Sequence, residues 1–343
     1  MKFQRIVVVG WILLTYLWAG EENEHIKITG NAICDFYYIN DAEEDVHANY
    51  KPKMLRQVYT NERSGFQFRR IYLTFDKKID EAFSTRVRFS MSNTDYSYSK
   101  MTPSVKDAYL KWQVTPDHSA YFGISGSPAF KEIEKFWGFR HLDKTASDYF
   151  GIRSSRDFGI AAKGKVFSHL NYHFFFGNGE SNASERWGRV DKLYSLSLSQ
   201  EFANHFFYQF YTDYRLSKEG VDDEFTGQIF TGYRSDKFRF GIQYTYQENK
   251  LMRSEKKGDI HLISVPVIYN YIDKVSFVFR YSHYTVGEER NYTQRSFIGG
   301  FEYNIRRDIS IMPNILYNDY NLEDLPGTGK DVITRLTLAY KFK

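Results

Sequence analysis

The chain has 343 residues and a mean hydropathy of −0.54, yet 18% of its residues are aromatic. A polar chain this rich in aromatic residues suits a β-barrel with a lipid-facing surface, or a carbohydrate-binding β-protein. The formal net charge of +4 is too small to support nucleic-acid binding by bulk charge. The single cysteine, Cys34, excludes an intramolecular disulfide.

The N-terminus has the layout of a secretory signal. Two positive charges fall in residues 1–5, a short apolar run occupies residues 6–17, and acidic residues follow from position 21. This apolar run is too short to cross a bilayer comfortably. We therefore predict a signal peptide over residues 1–19 and a single domain over residues 20–343, with an uncleaved N-terminal anchor as the alternative.

Residues 83–92 alternate without a break between two kinds of side chain. One face carries Phe83, Thr85, Val87, Phe89 and Met91, and the other carries Ser84, Arg86, Arg88, Ser90 and Ser92. Successive side chains of a strand point to opposite faces, so this strand has one apolar face and one cationic face. A membrane barrel turns such an apolar face to lipid and the polar face to a wet lumen.

The same alternation recurs along the chain, and no long apolar run replaces it after residue 20. It predicts about sixteen strands. Their approximate spans are 26–39, 65–76, 82–93, 104–114, 118–126, 155–167, 168–178, 190–202, 204–216, 223–234, 236–250, 259–271, 273–286, 291–305, 308–320 and 330–342. The predicted fold class is all-β, a transmembrane, antiparallel, up-and-down β-barrel.

Every second predicted connector is very short. The clearest short ones are 115–118, 202–205, 235–237, 272–274 and 306–308, and the intervening connectors are longer and more polar. Short periplasmic turns at one end and long extracellular loops at the other are typical of outer-membrane barrels. A soluble sandwich has no reason to sort its loops in this way, so the sorting predicts a location in the bacterial outer membrane.

Three strands show clear lipid faces, and one strand does not. The clear faces are Phe238, Phe240, Ile242, Tyr244 and Tyr246; Val275, Phe277, Phe279 and Tyr281; and Val332, Thr334, Leu336, Leu338, Tyr340 and Phe342. The last strand thus ends on an aromatic residue, Phe342, which the barrel-assembly machinery of the outer membrane generally reads. In strand 65–76 the parity switches near Arg69 and Arg70, which predicts a bulge or a different register.

The longest mid-chain connector, residues 127–154, is rich in aromatic and charged side chains. Its basic residues are Lys131, Lys135, Arg140 and Lys144. Glu132, Lys135, Phe136 and Phe139 fall at helical spacings, which predicts a short helix within the connector. An ordinary surface loop and a loop that narrows the lumen both remain open on these residues alone.

Strand parity also assigns charged side chains to the lumen. The basic ones are Arg86, Arg88, Lys111, Lys163, Lys165, Arg215, Arg239, Arg280 and Arg335, and the acidic ones are Asp107, Asp157, Asp213 and Glu302. Because basic residues outnumber acidic ones, the lumen is expected to favour anions. Simple solvation of a wet wall, or pairing of Arg with Asp across strands, is the alternative role for any one of them.

Four stretches of the chain resemble the phosphate-selective porin O/P family. They are Phe68-Arg69-Arg70-Ile71-Tyr72-Leu73, Asp107-Ala108-Tyr109-Leu110, Phe122-Gly123-Ile124-Ser125-Gly126-Ser127-Pro128-Ala129-Phe130 and Arg156-Asp157-Phe158-Gly159-Ile160, in the family's order and spacing. The resemblance implies a sixteen-stranded porin, often a homotrimer, that passes small anions. It also implies that residues 127–154 fold into the lumen and narrow it. Where the family has a lysine, this chain has Gly126.

The sequence therefore predicts passive diffusion of small hydrophilic solutes, with a preference for anions and with phosphate as one candidate. A barrel plugged by its loops and used as an adhesin or receptor is the alternative, and a soluble β-protein is the third. Catalysis is not expected, because Ser282 and His283 point to opposite faces and the histidines lack metal-ligand spacing. The expected partners are outer-membrane lipid, small anions and further copies of the chain in a trimer; no cofactor, metal or nucleic acid is expected.

Overall fold

The computed structural model describes most of the chain after residue 25. The described residues are 26–41, 64–92, 96–97, 100–167, 169–179, 191–203, 205–217, 223–251, 257–287, 292–322 and 328–342. The segment predicted to be a signal peptide, residues 1–19, lies outside this part of the chain.

Sixteen long strands account for most of the described residues. They are β1 (Lys27–Asp41), β2 (Ser64–Lys78), β3 (Phe83–Met91), β4 (Ser104–Thr115), β5 (His118–Gly126), β6 (Arg156–Val166), β7 (Leu170–Gly177), β8 (Lys192–Phe202), β9 (Phe206–Leu216), β10 (Glu224–Arg234), β11 (Phe238–Leu251), β12 (Lys257–Ile272), β13 (Val275–Val286), β14 (Tyr292–Arg306), β15 (Ile309–Leu322) and β16 (Thr328–Phe342). A two-residue ladder, Tyr96–Ser97 with Lys100–Met101, lies between β3 and β4.

The strands form one closed antiparallel barrel. Each strand pairs with its neighbours in the sequence, and β16 returns to pair with β1, for example at Gly30 and Phe342. Closure pairs the backbone of every strand on both sides, which a sheet must do to sit in lipid without exposed edges. The predicted all-β, antiparallel, up-and-down barrel is confirmed.

The connectors between the strands alternate strictly in length. At one end, which we call the short-turn end, β2–β3, β4–β5, β6–β7, β8–β9, β10–β11, β12–β13 and β14–β15 are joined by four residues or fewer. At the other end, the loop end, every connector has five residues or more. The sorting of loops predicted from the sequence is thus a property of the fold.

The two faces of the barrel differ as the alternation predicts. On β13, Phe277 and Phe279 are 49% and 42% exposed, whereas Ser276, Val278 and Arg280 between them are buried. The outward side chains of β11 and β16 are likewise exposed or half-buried. A ring of exposed aromatic and aliphatic side chains around a closed sheet is the surface that a lipid-embedded barrel needs.

Register shifts interrupt several strand pairs, and two of them, within the first four strands, shape the lumen. The pairing of β1 with β2 skips Arg69, since Ile33 lies opposite Arg70 and Cys34 lies opposite Phe68. The pairing of β3 with β4 skips Lys106 in the same way. A bulge adds one residue to one strand and re-aims its side chain. The ambiguity at Arg69 and Arg70 is therefore a true bulge.

The connector between β5 and β6 carries two short helices, α1 (Lys131–Trp137) and α2 (Ala146–Tyr149). Gly138 ends α1 in the left-handed region, with φ of 72°, and its N–H bonds the Glu134 carbonyl. The short helix predicted around residue 135 is confirmed. In the described part of the chain, neither helix is long and apolar enough to cross a membrane.

Candidate functional site

The connector of residues 127–155, which we call the lumen loop, lies inside the barrel. Its buried side chains pack on inward-facing residues of strands far apart in the sheet. One cluster joins Trp137, Phe139, Leu142 and Tyr149 of the loop to Ile39, Ile268, Val278, Ile298, Met312, Leu316 and Ile333 of the wall. Because these wall residues belong to β1 and β12–β16 together, the loop crosses the interior and fills the half of the barrel that they line.

Helix α1 lies deep in the lumen, towards the short-turn end. Phe136 packs on Phe230, with ring centroids 4.9 Å apart, and on Phe207. Gly232 of β10 makes room for it, since a Cβ there would lie 2.5 Å from the Phe136 ring. Lys131, at the start of the helix, points away from this contact and is exposed.

Arg69, the bulged residue of β2, holds the middle of the lumen loop. Its guanidinium donates to the carbonyls of Leu142 and His141, the latter at 2.6 Å. The same group lies 2.9 Å from the carboxylate of Asp35, which also accepts a 2.7 Å bond from Thr337. All of these strand side chains are buried. The bulge therefore turns a strand residue into an anchor for the loop.

Three more arginines end on loop carbonyls. Arg239 donates to Phe136 at 3.3 Å, Arg335 donates to Leu142 at 3.2 Å, and Arg280 donates to the carbonyl of Lys144. Sequence parity placed Arg239 and Arg280 on an open pore wall. The structure places both on the inner face, but Arg280 is buried beneath the loop and Arg239 is partly covered by it.

Neutral amides and hydroxyls complete the support of the loop on β9–β11. Ser147 donates to Gln228 at 2.7 Å, and Gln243 donates to the same amide oxygen at 2.8 Å. Gln209 and Gln247 donate to backbone carbonyls near the two ends of the loop. This half of the wall thus meets the loop with uncharged groups that can be buried once they are hydrogen-bonded.

The end of the loop is fixed by an ion-pair cluster at the loop end of the barrel. Arg153 lies 2.5 Å from Asp213 and 2.5 Å from Glu224, and Arg215 lies 2.6 Å from Asp191. Burial disfavours the charge of Arg153, but its two carboxylates outweigh burial and raise its pKa. Arg215 and Asp213, both predicted lumen charges, therefore serve in paired positions here.

The wall formed by β2–β6 is different, because Arg86, Arg88 and Arg156 keep partial access to solvent. Arg86 pairs with Asp76 at 2.6 Å, and both side chains are about a third exposed. Arg88 lies 3.1 Å from Asp107, which also accepts from Arg156. The predicted lumen residues Arg86 and Arg88 thus reach the inner face as ion pairs across neighbouring strands.

Beside the two bulges of this wall, Arg70 and Lys106 have no carboxylate partner among the described residues. The guanidinium of Arg70 lies 5.3 Å from the centre of the Tyr72 ring, and Lys106 donates to the Ser155 hydroxyl at 3.1 Å. Within the described part of the chain, neither residue has a carboxylate within 4.0 Å. Both lie at or beside a bulge, which is why an extra basic side chain reaches the lumen in each case.

The lumen loop presents further charges to these two residues. Arg140 contacts Glu134 and lies 3.1 Å from Asp148, and Lys144 lies 3.4 Å from the same carboxylate. Burial opposes the charge of Asp148, but Lys144 and Arg140 outweigh burial and hold the pKa of Asp148 well below its usual range. Arg70 and Lys106 act on it in the same direction, so wall and loop form one electrostatic cluster.

We call this cluster the eyelet. It combines six basic with three acidic side chains: Arg70, Arg88, Lys106, Arg140, Lys144 and Arg156, with Asp107, Glu134 and Asp148. Its net charge is therefore positive. Among the described residues there is no group of three His, Cys, Asp or Glu side chains that could hold a metal ion.

The remaining predicted lysines lie towards the short-turn end. The Lys163 ammonium lies 4.2 Å from the centre of the Tyr121 ring. Lys111 is half-buried on the inner face of β4, and Lys165 is exposed at the rim. Lys135, on the exposed side of α1, faces away from the apolar contacts of that helix.

Sequence reasoning missed several residues of the site. Lys106, Arg153 and Arg156 were not assigned to the lumen, because Lys106 is the bulged residue and the other two adjoin or belong to the loop. A signal for the bulge was present, since Lys106 and Asp107 place two charged residues side by side in a strand. Regular alternation allows only one of such a pair to face water.

No protein-family model matches the chain, and no curated protein sequence matches it. Solved structures do. An anion-selective porin from Comamonas acidovorans is 10% identical with a TM-score of 0.65, over 93% of this chain and 100% of that one. OmpF of Salmonella typhi, in complex with daunomycin, is 13% identical with a TM-score of 0.61, over 93% and 98%. OmpT of Vibrio cholerae, an outer membrane protein in its trimer form, is 11% identical with a TM-score of 0.60, over 94% and 100%. The chain has the fold of outer-membrane porins.

Proposed function

We propose that this protein is an outer-membrane channel through which small hydrophilic solutes diffuse passively, with a preference for anions. The solute path runs between the lumen loop and the wall of β2–β6. The observation that carries this proposal is the eyelet, in which six basic side chains face three acidic ones. An excess of positive charge on a narrow wet path lowers the electrostatic barrier for anions and raises it for cations.

The unpaired cations of the eyelet support an open path rather than a plug. Burying an ion without a partner costs several kcal/mol, so Arg70 and Lys106 require water or a mobile anion beside them. Lys144, whose ammonium faces the same cluster, is about a third exposed. These charges would be strongly unfavourable in a barrel plugged dry by its loops, which is the structural form that an adhesin or receptor would take.

The same proposal covers location, assembly and chemistry. Lipid contacts the exposed aromatic face, and Phe342, which is exposed at the end of β16, is available to the assembly machinery. We propose a homotrimer, by analogy with the trimer form of the Vibrio cholerae protein, and no enzymatic activity. Membership of the phosphate-selective porin O/P family, and phosphate as the solute, stay predictions from the resemblance.

Planar-bilayer recording of the purified full-length protein tests the proposal. We expect stepwise conductance in potassium chloride. In a potassium chloride gradient, the reversal potential should lie between zero and the equilibrium potential of chloride. The absence of conductance would favour the plugged barrel with a binding role. A reversal potential between zero and the equilibrium potential of potassium would contradict the preference for anions but not the proposal that the protein is a channel.

A further inference from the structure

We propose that Lys131, Lys163 and His173 form an oxyanion-binding site in the lumen, separate from the eyelet and nearer the short-turn end. The site rests on the proposed channel function, since an anion reaches it only through a wet lumen. It would take the oxygen atoms of a carboxylate, or of a sulfate-like group, as the anion leaves the eyelet.

The strand register brings two of the three residues together. Lys163 of β6 lies directly opposite His173 of β7, and His173 lies opposite Ser197 of β8. Both are within a few residues of the turn that joins β6 to β7, so the site lies at the short-turn end. Directly opposed side chains on one face of a sheet are in contact range.

His173 is the observation that points to a ligand. Its side chain is only 9% exposed, and its Nε2 atom is buried with no hydrogen-bond partner in the described part of the chain. Buried polar groups in folded proteins are nearly always hydrogen-bonded. None of the described residues supplies the hydrogen-bond partner that this nitrogen requires.

Lys163 is also without a counter-ion. Its ammonium lies over the Tyr121 ring at 4.2 Å, and among the described residues no carboxylate lies within 4.0 Å of it. Asp107, an acid of this wall, is already engaged by Arg88 and Arg156. The positive charge beside His173 is thus not neutralised by the wall.

The lumen loop supplies the third group. Gln209 and Gln228 donate to the carbonyls of Pro128 and Ala129, both at 3.0 Å, which fixes the backbone just before Lys131. Ala129 and Phe130, which precede Lys131, pack on Tyr211 of β9. Tyr211 lies opposite Ser197, and Ser197 lies opposite His173, so the start of α1 lies on the same part of the wall as His173. The Lys131 ammonium lies 3.9 Å from the neighbouring Glu132, which is longer than a hydrogen bond.

The donor set selects the chemistry of the ligand. Two ammonium groups and a ring N–H offer several directional hydrogen bonds, which an oxyanion accepts through separate oxygens. Chloride is attracted by the positive charges of the two ammonium groups, but it has no separate oxygen atoms to accept these hydrogen bonds. Inorganic sulfate and organic carboxylates both present negatively charged oxygen atoms. The test below uses one of each, so that an inorganic and an organic ligand can be distinguished.

The test is block of chloride current through the full-length channel by sodium sulfate or sodium acetate added from the short-turn side. We expect saturable block in the wild-type protein. Lys163→Gln should raise the half-blocking concentration about tenfold, the effect of losing one charge-assisted hydrogen bond. His173→Phe, which keeps a ring but removes both nitrogens, should raise it in the same direction.

Lys165→Gln is the matched control, because Lys165 lies on the same face two residues along and is exposed at the rim. It should leave the half-blocking concentration unchanged. Block by acetate but not sulfate would assign the site to carboxylates, and the reverse would assign it to inorganic oxyanions. Heat-modifiable electrophoretic mobility shows that each variant barrel is folded before recording.

Two results would overturn the site. One is block that never saturates in the wild-type protein, and the other is equal block in Lys163→Gln, His173→Phe and Lys165→Gln, which would leave only an ordered water at His173. Either result is distinct from failure of the channel proposal, which appears as absent conductance or cation preference in chloride alone.

Discussion

The two halves of the lumen wall differ in the side chains that they present to the lumen loop and to water. The wall of β9–β16 and β1 meets the lumen loop with aliphatic side chains, amides and hydroxyls, and it is buried. The wall of β2–β6 carries arginines and lysines that are paired across strands or left beside water. The wall of β9–β16 and β1 therefore forms a packed core with the lumen loop, and the wall of β2–β6 lines the proposed solute path.

This difference follows from the cost of burying each kind of group. Apolar and hydrogen-bonded neutral groups can be covered by a loop with a net gain in free energy, whereas unpaired charges cannot. Charges that do sit on the covered half have partners there: Arg280 ends on a loop carbonyl, and Asp213 pairs with Arg153. The placement of charge thus decides which half the loop covers and where the solute path remains.

The largest effect is expected from breaking the anchor between the halves with Arg69→Gln. The change leaves Asp35 buried without its 2.9 Å ion pair and releases the carbonyls of His141 and Leu142. Removing one partner of a buried ion pair costs about 3–5 kcal/mol. Unfolding in detergent should show that loss, and single-channel records should become noisier as the loop loosens.

Arg86→Gln is the control for this comparison. The Arg86–Asp76 pair has the same chemistry, but its side chains are about a third exposed, so its loss should cost less than about 1 kcal/mol. Equal losses of stability in the two variants would show that the covered half is not an anchored core.

An intermediate effect is expected from pH, acting through Asp148 on the loop. A carboxyl whose folded pKa is depressed stabilises the fold above its unfolded pKa of about 4, and this contribution is lost as pH falls below that value. Asp148→Asn should therefore lower the free energy of unfolding at pH 7 by about 1–3 kcal/mol, and this difference from the wild type should shrink below pH 4. A difference that stays constant between pH 7 and pH 3 would show that Asp148 is not held ionised by Arg140 and Lys144.

The smallest effect is expected from Ser147→Ala on the covered half. The amide oxygen of Gln228 keeps its bond from Gln243 at 2.8 Å, so no buried group is orphaned and the loss should be about 1 kcal/mol. Because Ser147 is uncharged and lies on the covered half, the reversal potential in a salt gradient should not change. A shift in the reversal potential would contradict a solute path between the lumen loop and the wall of β2–β6.

Periodicity in the sequence was enough to predict the barrel. The alternation at residues 83–92, the sorted connectors and the outward faces of β11, β13 and β16 all correspond to the structure. Each of these signals is local, because a strand has a period of two and a turn is short. Closure through β1 and β16 then follows from an even number of strands that cannot leave an edge in lipid.

Periodicity could not predict which lumen residues are free to meet a solute. Arg239 and Arg280 have the parity of pore residues, but the lumen loop, whose path follows no sequence period, covers them. Lys106 was missed because a bulge breaks parity at the position where it matters. Both errors arise from contacts between segments distant in sequence, which alternation does not encode.

The central claim is that the β2–β6 half of the lumen sets the preference for anions. Its most direct test compares the reversal potential of Arg70→Gln/Lys106→Gln with that of Lys330→Gln, whose lysine lies on the outward face beside Asp41. Removal of the two eyelet charges should reduce the ratio of chloride to potassium permeability several-fold, whereas Lys330→Gln should leave the ratio unchanged. Equal ratios in the wild-type protein and both variants would contradict the claim.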